Sequence, residues 1–76
     1  IMEELIQLLE ELQPGVDFAN STSLIDDGEL SSFDVVSIVG ELEAEYDIRF
    51  RPVDIIPQNF NSVKALYELI CRLKEA

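Results

Sequence analysis

Two adjacent serines open the most strongly patterned stretch of this chain: Asp26-Asp27-Gly28-Glu29-Leu30-Ser31-Ser32-Phe33-Asp34-Val35-Val36. Gly28 gives the segment freedom to turn. Ser31 with Asp34 three residues later reads as Ser-x-x-Asp, a variant of the box that opens a helix. As the N-cap, Ser31 gives its oxygen to a backbone N–H of the first turn. Ser32 is then the first helical residue, with a hydroxyl left for solvent. The unpaired N–H groups and the dipole at a helix start favour a phosphate at that point.

A serine acting as a nucleophile on its own needs a base. The chain has no histidine, and residues 1–48 hold neither lysine nor arginine. Without histidine and with one cysteine, Cys71, the usual zinc sites are excluded. A calcium loop fails as well: with Gly28 at its sixth position, Ile25 falls where an oxygen ligand is required. The composition therefore argues against an enzyme. A serine can still matter as a residue that another enzyme modifies. That requires an exposed hydroxyl beside a recognition surface, and Ser32 has both, with Phe33, Val36 and acidic residues following it.

The elements that must position this serine follow from periodicity. Residues 2–12 carry Met2, Leu5, Leu9 and Leu12 on one face, an amphipathic helix ended by Pro14-Gly15. Residues 15–30 form a long connection whose Val16, Phe18, Leu24, Ile25 and Leu30 predict packing against the helices, with one short turn. The second helix spans 32–46, with Val35, Ile38, Val39, Leu42 and Tyr46 facing the core. Asp34, Ser37, Glu41 and Glu45 make an acidic opposite face. Phe33, Val36 and Gly40 form a flanking stripe, either a contact surface or the edge of a wide core face. Residues 47–52 read as an extended connector, since a lone strand has no partner. A single helical turn is expected over 52–56, stopped by Pro57, then a turn over 57–61. The last helix runs from about Ser62 to Lys74, capped by Asn61 or Ser62. Its buried face is Val63, Leu66, Tyr67, Ile70 and Leu73, with Cys71 beside it as a semi-buried thiol.

At 76 residues the chain is expected to be one domain, 1–76. Its net charge of −11 is uneven: residues 1–48 carry −13 and residues 49–76 carry +2. An acidic front disfavours nucleic acid and anionic membrane surfaces as partners. It suits a partner with a basic patch, although solubility alone also accounts for it. No apolar run approaches the roughly 20 residues that span a bilayer, and no basic start precedes an apolar stretch. With one cysteine this predicts a reducing, cytoplasmic setting and no stable membrane insertion. Ile1 preceding Met2 reads as the cut edge of a longer protein or an added residue.

On these residues the chain resembles the acyl carrier protein family. The family pattern is an acidic loop, then Asp-Ser-Leu, then an acidic amphipathic helix ending near Leu-Glu-x-Glu-Phe-Asp. Here it reads Ser31-Ser32-Phe33-Asp34, then Glu41-Leu42-Glu43-Ala44-Glu45-Tyr46-Asp47-Ile48. The resemblance implies an all-α bundle of three longer helices and one short third helix, around Pro52–Ile56. It implies 4′-phosphopantetheine on Ser32, with Ser31 as the second choice, placed there from coenzyme A by a phosphopantetheinyl transferase. The arm's thiol would hold acyl or aminoacyl groups as thioesters. Loading ligases and acyl-transferring enzymes with basic patches would dock on the second helix, through Phe33, Asp34, Val36, Ser37, Gly40, Glu41 and Glu45, with the carrier itself a monomer. The family's Asp before the serine is Ser31 here, and its Leu after it is Phe33. The lead-in Asp27-Gly28-x-Leu30 is nearer to D-alanyl and aminoacyl carriers than to the fatty-acid type. The alternative is an unmodified acidic module that binds a partner through the same helix.

Overall fold

A computed structural model describes residues 2–75; Ile1 lies outside the described residues, so the reading of it as a cut edge is not tested by structure. The described residues form four α-helices, α1 (Met2–Leu12), α2 (Ser32–Tyr46), α3 (Pro57–Phe60) and α4 (Val63–Glu75), with a 3₁₀ turn at Pro52–Asp54 before α3. No strand occurs among the described residues, so the connector after α2 is extended without pairing. This is the expected all-α bundle of three longer helices and a short third.

The helix starts and stops follow local chemistry. Pro14 cannot donate a hydrogen bond and Gly15 takes a φ of +94°, which together end α1. Asp47 ends α2 in the left-handed conformation, its N–H bonded to the Glu43 carbonyl. Ser62, rather than Asn61, caps α4: its Oγ accepts the Ala65 N–H at 3.1 Å. Around Pro57 the expectation needs correction. The first turn stops at Asp54, and Pro57 begins α3 instead of ending a helix. Proline loses nothing at the first position of a helix, where its N–H would be unpaired anyway. It also forces the preceding residue out of helical geometry, and Ile56 is extended at φ −126°, ψ 153°.

The core draws on all four α-helices and on the long connection. Leu5 and Leu9 from α1, Ile38 and Leu42 from α2, Phe60, and Val63, Leu66 and Ile70 from α4 are buried together. The long connection adds Phe18, Leu24 and Leu30. It folds into two turns rather than one, closed by Ser21 N–H on the Asp17 carbonyl and Asp27 N–H on the Ser23 carbonyl. α4 packs against both α1 and α3. The buried faces are narrower than periodicity predicted. Val35, Val39 and Tyr46 are half-buried, as are Tyr67 and Leu73, while Leu69 is buried in their place on α4. Each helix of so small a bundle has one narrow seam to bury, and in the 15-residue α2 only Ile38 and Leu42 are fully inside it. Near the far ends of α2 and α4, Lys74 lies 5.6 Å from the centre of the Tyr46 ring, a cation–π contact.

Gly40 is unexplained by packing. It lies within α2, is exposed, and a Cβ built there meets nothing within 4 Å. Gly40→Ala is therefore expected to stabilise the fold by about 0.5–1 kcal/mol, read as a raised urea midpoint with an unchanged slope.

Candidate functional site

The site is built on the first turn of α2. Ser31 is the N-cap, extended at φ −86°, ψ 171°, and the box closes in both directions. Ser31 Oγ accepts the Asp34 N–H at 3.2 Å, and the Ser31 N–H donates to Asp34 Oδ2 at 2.9 Å. Gln13, just past α1, donates to Asp34 Oδ1 at 3.1 Å, tying the end of one helix to the start of the next. The Ser31 N–H is the largest influence holding the Asp34 carboxyl below its ordinary value, against a desolvation cost, with Ser31 Oγ and Gln13 reinforcing it. Asp34 is thus ionised at neutral pH, half-buried, and committed at both oxygens within the chain.

Ser31 and Ser32 are both exposed, but the Ser32 hydroxyl, unlike that of Ser31, has no hydrogen-bond partner among the described residues. The N–H groups of the first helical turn have no intrahelical acceptor, and Ser31 Oγ satisfies that of Asp34 alone. Ser32 lines an open cleft of about 290 Å³. The cleft's other walls are Ile25 from the long connection, Val35 and Val36 from α2, and Ile55, Ile56, Pro57 and Phe60 from the α3 region. Every lining residue but Ser32 is apolar.

The flanking stripe of α2 is surface, not core. Phe33 is 78% exposed and Val36 70% exposed, and Gly40 is exposed as well. Ser37, Glu41 and Glu45 are exposed on the acidic face beside it. Isolated exposed apolar residues are ordinary. Here several of them follow an exposed serine, and Ile55 and Ile56, which line the same cleft, are 42% and 40% exposed, the kind of clustering that partner surfaces show.

Sequence periodicity did not place Ile25, Ile55, Ile56 and Phe60 beside Ser32. The signal available was Ile56-Pro57, an apolar residue held out of helical geometry by the proline after it, with Ile55 next to it. A second cleft, at the opposite end of α2, is lined by Arg49, Arg51 and Arg72 with Asp47 and Asp54. There Asp54 is buried and accepts the Arg51 guanidinium at two positions, 3.2 Å each. That bond is the largest influence holding the Asp54 carboxyl low.

The chain is 35% identical over 63 residues to aminoacyl carrier protein 2 of Bradyrhizobium diazoefficiens, spanning 83% of this chain and 70% of that protein. It is 33% identical over 63 residues to aminoacyl carrier protein 1 of the same organism, spanning 83% of this chain and 69% of that protein. The chain belongs to the carrier-protein family. No family model and no solved structure matches it. As a carrier it is not an enzyme but a protein that works through partner enzymes. None of the carrier's described helices is long and apolar enough to cross a membrane.

Proposed function

We propose that this carrier bears 4′-phosphopantetheine on Ser32 and presents an aminoacyl group to enzymes that dock on α2. The single observation that carries the proposal is the contrast between the two serines. Both residues are exposed, but Ser31 Oγ is engaged by the Asp34 N–H, whereas the Ser32 hydroxyl is unpartnered among the described residues. The surroundings fit a phosphodiester followed by a flexible, partly apolar arm. Unspent N–H groups at the helix start favour the anion, and the apolar cleft lies beside Ser32.

When attached, the arm supplies a thiol for thioester chemistry, and it raises the effective concentration of its cargo near a docked enzyme. The chain's residues supply the rest. Ser31 and Asp34 fix the turn that presents the Ser32 oxygen. Phe33, Val36 and Gly40 offer an apolar strip to a partner, and Ser37, Glu41 and Glu45 offer a polar one that suits a basic patch. Asp34 serves this surface chiefly by holding the cap. The aminoacyl cargo is favoured by the relatives' names, aminoacyl carrier proteins 1 and 2.

The test is the intact mass after incubation with coenzyme A and a phosphopantetheinyl transferase. A gain of one arm is expected. No gain with several transferases returns the chain to the reading of an unmodified interaction module.

A further inference from the structure

We propose that Asn61 is a positioning residue for the Ser32 site, latching the 24–30 turn to the α3–α4 junction so that Ile25 walls the cleft beside the serine. This rests on Ser32 being the attachment point. The latch is made of four hydrogen bonds across 35 to 37 positions of sequence. Asn61 Oδ1 accepts the N–H groups of Ile25 at 2.9 Å and Asp26 at 3.1 Å. Asn61 Nδ2 donates to Asp26 Oδ2 at 3.2 Å. The Asn61 carbonyl accepts the Leu24 N–H at 2.9 Å.

These bonds reach the serine through a short chain of contacts. Leu24 is buried, and its carbonyl accepts the N–H groups of both Glu29 and Leu30. Leu30 is buried and directly precedes the N-cap Ser31. On the other side Phe60 lines the same cleft as Ile25 and Ser32, and Ser62 caps α4. Three consecutive residues therefore complete the cleft, latch the turn and start the last helix.

The side chain is an amide for a reason of chemistry. The position needs an acceptor for two N–H groups and a donor for a carboxylate, and the amide supplies both. Aspartate keeps the acceptor but sets a carboxylate against Asp26 in place of a donor. Alanine keeps neither, which leaves the half-buried Ile25 N–H without its partner. Exchanging the two residues, Asp26→Asn with Asn61→Asp, restores a donor–acceptor pair with the roles reversed.

The experiment compares the carrier with Asn61→Ala, Asn61→Asp and the exchanged pair. Two quantities are read: the kinetics of arm transfer from coenzyme A onto the carrier, and amide hydrogen exchange along 24–30. Asn61→Ala is expected to lower kcat/KM for transfer about tenfold, through KM, because the docking surface loses its fixed wall. Exchange at Ile25 and Asp26 rises toward the unprotected rate while α2 and α4 stay protected. The exchanged pair is expected to recover transfer to within about threefold of the starting carrier. Should Asn61→Ala not fold, Asn61→Asp takes its place, with an intermediate loss that Asp26→Asn relieves.

Fast exchange at Ile25 and Asp26 with unchanged transfer overturns the proposal, as does a folded exchanged pair that recovers nothing. If the starting carrier takes no arm at all, the Ser32 reading falls on its own, and exchange alone judges the latch. Lost protection in Asn61→Ala then supports it, and retained protection ends it.

Discussion

Ser32→Ala is expected to emerge from incubation with coenzyme A and a phosphopantetheinyl transferase at its starting mass, while Ser31→Ala gains the arm. The two variants separate the chemistry of the site from its scaffold. Ser32 makes no side-chain hydrogen bond among the described residues, and alanine is the best helix former. Its removal should shift stability by no more than about 0.5 kcal/mol. Ser31→Ala removes the oxygen that accepts the Asp34 N–H. That costs about 1 kcal/mol, or roughly 4–8 °C in Tm for a domain of this size. The other half of the box survives in that variant, because the Ser31 N–H that donates to Asp34 belongs to the backbone. The variant that keeps its stability should therefore lose the arm, and the one that loses stability should keep it. An arm found on Ser32→Ala, mapped to position 31, reverses the assignment.

What the sequence could express about this site was what lies within one turn of it. Ser-x-x-Asp is a local code, and both halves of the box stand in the structure as read. The acidic and apolar faces of α2 follow from the same 3.6-residue period. That period, however, cannot tell a wide core face from a seam with an exposed flank. Only the bundle's small size decides that Phe33 and Val36 face solvent. Pro57 shows a different limit. A proline both stops a preceding helix and suits the first position of a new one, and the two uses look alike in sequence. The cleft was least legible, since Ile25 and Phe60 stand 35 positions apart in sequence. Asn61, with its ordinary polar side chain in a turn-prone stretch, gave no sign of the four bonds it makes. Its neighbour Ser62 took the capping role for which both had been candidates.

Phe18→Ala is expected to bring the fold close to collapse, although the residue lies in no helix. Phe18 is 1% exposed and is among the largest fully buried side chains. With Leu9, Leu24, Leu30, Ile38, Phe60 and Leu66 it lines a space of only about 10 Å³, at the lower limit for holding a water. The ring is thus closely packed, and its removal leaves a cavity that the surrounding helices cannot easily close. Such truncations cost about 3–5 kcal/mol. The whole fold, at about 0.05–0.15 kcal/mol per residue, is worth roughly 4–11 kcal/mol. A large share of the total therefore rests on one side chain of a connecting segment. Were the connection a mere tether, the same substitution would cost about 0.5 kcal/mol or less, so a urea midpoint distinguishes the two directly. The connection also carries Ile25 to the cleft and Leu30 to the cap of α2. Phe18→Ala should then lose protection from hydrogen exchange along 24–30 as well, linking the stability of the core to the presentation of Ser32.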